Sequence, residues 1–222
     1  MFVSRTQEAI LTSSSFSGMA PTFVPGSPST PYQKDTVVMG QKNGNLYAMS
    51  AQNGHLFWTT QTSPGAPTGD LSWGIAVDDD QVYFTVINII DFKYTLEPSG
   101  QTANRSAHGA ASLLNGTLLW EVPTPGDGGV AYGPPTAVGD LVLVSKTGSD
   151  PSGTLSFDST VGSLLAFDKR TGKLVASFVL DANFHGGVAV QGQSVLFGTG
   201  KNNLFNVANP TIGSFHVMRV RT

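Results

Sequence analysis

Apolar residues in this chain come in short runs in which they alternate with polar or small ones, and the runs are separated by Gly, Pro, Asn and Asp. Two-residue alternation bounded by turn formers predicts half-buried β-strands, and no stretch keeps the 3.6-residue period of an amphipathic helix. The clearest pair is Ser163–Phe167 and Lys173–Val179, pinched around the polar turn Asp168-Lys-Arg-Thr-Gly172. It reads as a hairpin.

The hairpin recurs at Gly44–Trp58 and His108–Trp120, and its closing glycines, Gly54, Gly116 and Gly172, are 62 and 56 residues apart. Two further apolar runs precede each copy: Pro21–Val24 with Thr36–Met39, Gly74–Val77 with Val82–Val86, and Pro135–Val138 with Leu141–Ser145. A fourth copy runs through Val188–Val190, Val195–Thr199 and Ser214–Val220, and insertions at Asn88–Arg105, Gly148–Thr160 and Lys201–Ile212 lengthen three of the four. Four strands plus an insertion per unit predict an all-β fold, a β-propeller of four-stranded blades with four blades present. The blades fall at approximately 16–62, 71–123, 131–181 and 184–222, after a polar, patternless lead-in at 1–15. A β-sandwich or barrel is the alternative, but neither repeats its strand sequence. Small residues at Gly133–Thr136 and Gly186–Val190 suit crowded innermost strands. Leu46, Tyr47, Phe57, Trp58, Leu119, Trp120, Phe167 and Phe178 are expected to pack between adjacent blades.

Composition agrees with strands and turns: of 222 residues, 26 are Gly and 13 Pro, and only 12% are charged. A net charge of −3 argues against nucleic acid, whose affinity rests on clustered Lys and Arg. No apolar run is long enough to cross a bilayer, and no signal peptide is visible. With no cysteine there is neither a disulfide framework nor a thiolate nucleophile or metal ligand. Two sequons, Asn104-Arg-Ser106 and Asn115-Gly-Thr117, raise the expectation of an extracellular or secretory location. Neither a phosphate loop nor a Gly-x-Ser-x-Gly elbow occurs, and His55, His108 and His216 lack partners at ligand spacing, so no metal site is assigned. Asp78-Asp-Asp80 lacks the glycine and distant glutamate of a calcium loop and reads as a turn.

The motif Leu46-Tyr-Ala-x-x-Ala-x-x-Gly-x-x-x-Trp58 and the turn Asp168–Leu174 resemble the repeat of the pyrroloquinoline quinone (PQQ) dehydrogenases. Leu71-Ser-Trp-Gly74 with Tyr83–Asn88 resembles the polyvinyl-alcohol-dehydrogenase-like branch. The likeness covers about Phe16 to Val220 and implies half, the C-terminal half, of an eight-bladed quinoprotein propeller. By resemblance, the complete ring oxidises an alcohol by hydride transfer to PQQ with calcium as electrophile, the calcium ligands lying in earlier blades. The same resemblance puts Lys42 at the quinone oxygens, Asn88 in a hydrogen bond to the cofactor, and Tyr132 in the pocket wall. Trp73 is read either as pocket wall or as packing between blades, and His185 as a channel-facing acid, base or ligand. Lys146 joins them because it and Lys42 each follow an apolar strand and precede a glycine. The place of the family's catalytic aspartate falls on Ser15, which is not an acid, so the catalytic residue is unassigned; another acid such as Asp70 or Asp127 serves, or catalysis has been lost, or the divergent N-terminus shifts the match. The competing reading is a non-catalytic scaffold that binds a ligand or protein. Half a ring leaves two blade faces to be covered by the missing half or a second copy of the chain.

Overall fold

The computed structural model describes residues 21–65, 70–71, 73–126, 130–147, 162–200 and 213–219. Sheet 1 is β1 (Thr22–Val24), β2 (Thr36–Gly40), β3 (Asn45–Ser50) and β4 (Leu56–Gln61), in that order. Sheet 2 runs β5 (Ala76–Val77), β6 (Gln81–Val86), β9 (Ala107–Ser112) and β10 (Leu118–Pro123), with a two-stranded excursion, β7 (Tyr94–Thr95) and β8 (Thr102–Ala103), between its second and third strands. Sheet 3 is β11 (Thr136–Val138), β12 (Leu141–Thr147), β13 (Gly162–Asp168) and β14 (Leu174–Leu180). Sheet 4 is β15 (Ala189–Gln191), β16 (Ser194–Thr199) and β17 (Ser214–Arg219). All pairings are antiparallel, and the described residues include no α-helix. Sheet 4 therefore departs from the expected four strands: it has three among the described residues.

The sheets stack face to face in chain order. Val38, Leu46, Ala48 and Trp58 of sheet 1 pack on Val82, Phe84, Val86 and Ala111 of sheet 2. Tyr83 and Trp120 of sheet 2 meet Val142, Val144, Leu165 and Phe167 of sheet 3, and Leu143 and Leu164 of sheet 3 meet Val195 and Phe197 of sheet 4. The first strands lie side by side, β1 against β5 and β5 against β11. The small residues expected there permit the approach. A Cβ on Gly74 would stand 2.8 Å from Pro134, and one on Gly133 would stand 2.4 Å from the Gly186 carbonyl oxygen.

One latch is built twice. The Trp58 indole N–H donates to the Leu113 carbonyl at 2.9 Å, and its ring lies on Gly116 of the next hairpin. Trp120 does the same one sheet later, donating to the Lys169 carbonyl at 2.9 Å with its ring on Gly172. Both glycines have positive φ, +74° and +68°, and a Cβ on either would lie within 2.6 Å of the ring. Glycine supplies the left-handed turn and the flat seat together. At the corresponding position of sheet 3 the residue is Ala176, and sheet 4 has no such hairpin among its described residues.

Two apolar residues do not pack where the alternation put them. In sheets 1, 2 and 3 the register slips at the same place on the outer strand, leaving Phe57, Leu119 and Val175 as bulged residues. A bulged residue is turned off its face, and Leu119 is exposed. Phe178 lies on the same side of β14 as Ala176 and Leu180, toward sheet 4, which has no fourth strand among the described residues; it is 44% exposed. Both ends of the row show apolar surface: Phe23 on sheet 1, Phe215 and Val217 on sheet 4.

Candidate functional site

The antiparallel order places each second-to-third-strand connection and each sheet-to-sheet connection at one end of the sheets. Lys42, Trp73, Asn88, Tyr132, Lys146 and His185 all belong to that end. The sequon asparagine Asn115 lies at the opposite end, in the hairpin after β9, and both Asn104 and Asn115 are exposed.

Tyr132 and His185 meet at the starts of sheets 3 and 4, ring centroids 5.0 Å apart and tilted by 44°. Tyr132 is buried against Ile87 and Val130, and burial pushes its hydroxyl up to about 12 against the opposing pull of Arg105. Ser106 ties this pair to the end of β6: its hydroxyl donates to the Ile87 carbonyl at 2.5 Å and accepts the Ala131 N–H at 3.0 Å. Gly133 donates its N–H to Ser145 Oγ, fixing the following turn.

Asn88 is within this assembly but turned to its own loop. Its Nδ2 donates to the Phe92 carbonyl at 2.8 Å and its Oδ1 accepts the Phe92 N–H, with φ at +44°. Asp70 is equally engaged. Its Oδ2 accepts Ser63 Oγ–H at 2.7 Å and the Gly65 N–H at 2.9 Å, and its Oδ1 accepts the Asn88 N–H at 3.1 Å. A carboxylate holding three donors closes a loop; it is not poised to take a proton from a substrate. Ser15 and Asp127 lie outside the described residues.

The two lysines are not equivalent. Thr36 pairs with Ser50 and Leu141 with Asp168, each at the start of its hairpin, which aligns Gln41 with Lys146 and Lys42 with Thr147. One residue of offset reverses the face of a strand. Lys146 lies in β12 and donates to the Pro125 carbonyl at 2.7 Å. Lys42 is half-buried in the Gln41–Gly44 turn. Trp73 is 52% exposed, so it is not packed between sheets.

Among the described residues these side chains do not by themselves make a metal site. No three His, Asp or Glu side chains converge among the described residues, and Asp70, the carboxylate that reaches the assembly, already accepts three hydrogen bonds. What the end offers is an aromatic pair, a half-buried ammonium and several backbone groups. A calcium ion takes six to eight oxygens, and the described residues gather no cluster of acidic side chains here to supply them.

Two buried groups had no sequence signal. His108 is fully buried between Thr85 Oγ1, 3.3 Å from Nδ1, and Thr124 Oγ1, 3.0 Å from Nε2, with Phe167 against its ring. Burial pulls it down to about 3, so it stays neutral. Glu121, on β10, is 3% exposed, and burial raises its carboxyl to about 7. In sequence it is one more polar residue after a tryptophan.

A family model described as outer membrane protein assembly factor BamB matches residues 14–92. The polyvinylalcohol dehydrogenase of Pseudomonas sp. is 31% identical over 90 residues, 40% of this chain and 13% of that protein. The polyvinylalcohol dehydrogenase of Sphingopyxis sp. (strain 113P3) is 28% identical over 145 residues, 64% of this chain and 20% of that protein. The matched stretches thus span no more than a fifth of these relatives. Quinohemoprotein alcohol dehydrogenase ADHIIG from Pseudomonas putida HK5 superposes with a TM-score of 0.56 at 16% identity, over 83% of this chain and 28% of that structure, a likeness of fold. In sequence the chain is thus similar to stretches of two polyvinylalcohol dehydrogenases, and in fold to part of a quinohemoprotein alcohol dehydrogenase.

Proposed function

We propose that this chain supplies four blades, at approximately 16–62, 71–123, 131–181 and 184–222, to a larger quinoprotein alcohol dehydrogenase-like ring. The function of that ring is oxidation of an alcohol with PQQ. The observation that carries this reading is the sequence likeness to two polyvinylalcohol dehydrogenases, together with an aromatic pair, buried Tyr132 and half-buried His185, at the end where the blade connections gather. Apolar surface on both outer sheets, Phe23 at one end and Phe215 and Val217 at the other, supports a neighbour on each side, whether the rest of the ring or a second copy. In such a ring Lys42, Trp73, Tyr132, Lys146 and His185 would line the quinone side, while the catalytic acid and the calcium ligands would come from elsewhere. Export to an extracellular or periplasmic space is part of the proposal, supported by the two exposed sequon asparagines.

The test is reconstitution with PQQ and calcium, read by the cofactor's absorbance and by dye reduction on adding a secondary alcohol. The expected result for this chain alone is weak quinone binding without turnover, and for a complete ring both binding and turnover. A ring that binds no quinone at high micromolar concentration overturns the enzymatic reading. The second reading, a non-catalytic scaffold, is favoured by one observation: Asn88 and Asp70 spend their side chains on loop bonds. A complete ring without quinone affinity would leave that reading in place.

A further inference from the structure

A cleft of about 310 Å³ opens at the outer edge between sheets 1 and 2, away from the inner strands. Its walls are Gln61–Pro64 at the end of β4, Tyr94, Thr95 and Glu97 on the β7–β8 excursion, and Glu121 on β10. Glu121 Oε2 accepts the Glu97 N–H at 2.7 Å. Its Oε1 is buried and engages no hydrogen-bond donor, and the Tyr94 hydroxyl is buried without a partner too. Two polar atoms stranded at one cleft are unusual, because buried polar atoms nearly always find partners. Both residues line a volume within the range of small-ligand sites.

The lining has one sign of charge. Glu97 stands exposed at the rim, Glu121 is buried below it, and among the described residues no Lys or Arg borders the cleft. A hard divalent cation would need more oxygens than this, and one Glu121 oxygen is already taken. An ammonium group carries three donors on a compact charge, enough for a carboxylate oxygen and a tyrosine hydroxyl at once. We propose that the cleft binds a small organic cation of the primary-ammonium class, with Glu121 Oε1 and the Tyr94 hydroxyl as its recognising groups and Glu97 completing the field at the rim. Gln61 to Pro64 form the wall beside the cation's carbon skeleton.

The buried carboxyl makes this site sensitive to pH. Its proton leaves near pH 7, and an ammonium favours the ionised form, so affinity rises with pH. The titratable groups facing Glu121 are Glu97 and Tyr94 on the excursion, with Asp70 acting on Tyr94 from the connection between sheets. On β9 the paired residue is Gly109, and on β4 the cleft residue is Gln61.

The experiment is isothermal titration of the chain with n-butylammonium at pH 8, with n-butanol as the uncharged analogue. One saturable site is expected for the cation and none at this cleft for the alcohol. Glu121→Gln, which keeps an oxygen for the Glu97 N–H, should weaken binding at least tenfold, and Tyr94→Phe by a few fold. Between pH 8 and pH 6 the affinity should fall about tenfold. Circular dichroism checks each variant; should Glu121→Gln not fold, Tyr94→Phe and the pH profile decide. No saturation, equal binding of n-butanol, or unchanged affinity in the folded variants would overturn the proposal and leave the cleft as a water site. Quinone binding plays no part in the readout, so the result stands apart from the alcohol-oxidation reading.

Discussion

The Trp120 and Gly172 latch allows a stability prediction with an internal control. Gly172→Ala forces an L side chain to φ +68°, which costs about 1–2 kcal/mol, and sets a Cβ 2.5 Å from the indole, an overpacking that costs about 1–3 kcal/mol more. Gly139 has a comparable φ, +55°, with nothing within 4 Å of its Cβ position. Gly139→Ala should therefore carry only the backbone cost. The difference between the two variants, about 1–3 kcal/mol, isolates the ring contact. Trp120→Ala costs about 3–5 kcal/mol itself, through the lost burial, the cavity and the unsatisfied Lys169 carbonyl. In that background the indole is gone, and Gly172→Ala should cost no more than Gly139→Ala. Urea unfolding followed by far-UV circular dichroism gives the four free energies, avoiding fluorescence because one of three tryptophans is removed. Equal costs for the two glycine variants, or additivity of Trp120→Ala and Gly172→Ala within about 0.5 kcal/mol, would refute the latch.

Three further outcomes follow from buried groups. The Glu121 carboxyl is raised in the fold, so the native state holds a proton that the unfolded chain has released; stability should fall as pH rises from about 4.5 to about 7, by roughly 3 kcal/mol at most. Glu121→Gln should abolish that slope in denaturation midpoints measured across the range without amines. His108 is lowered instead, so its contribution is complete above the unfolded value near 6.5 and is lost as pH falls toward about 3; its ring carbons should show a neutral imidazole by NMR at pH 5, where a charged ring would contradict the buried geometry. Gly133→Ala meets Ser145 Oγ at 2.1 Å and the Gly186 carbonyl at 2.4 Å, so loss of more than about 3 kcal/mol or failure to accumulate as soluble protein is expected, with native stability as the refuting result.

What the sequence made legible was whatever is local. The hairpins around Gly54, Gly116 and Gly172 are written in turn residues and two-residue alternation, and the packed tryptophans follow from their size. Their partners do not, because Trp58 and Trp120 donate to backbone carbonyls 55 and 49 residues away, and a carbonyl has no letter in a sequence. Register hides in the same way. Lys42 and Lys146 look matched by their flanking residues, and only the pairing of Thr36 with Ser50 and of Leu141 with Asp168 reveals the slip of one. The repeated bulge at Phe57, Leu119 and Val175 turned one expected interface residue outward for the same reason: alternation cannot be read through an inserted residue.

Polar residues were harder to read than apolar ones, and the difference bears on function. Asn88, proposed toward a cofactor, closes its own loop through Phe92, while Glu121, a residue with no motif around it, is buried with one oxygen still open. A polar side chain in a propeller connection has loop carbonyls and amides within reach, and satisfying them competes with any ligand. The chemistry of such an end therefore depends on which side chains the loops leave over. At the interface of sheets 1 and 2, both Asp70 oxygens accept hydrogen bonds, from Ser63, Gly65 and Asn88, whereas Glu121 keeps one buried oxygen without a donor. That contrast favours the outer edge of these two sheets, away from the inner-strand motifs, as the better-prepared recognition site.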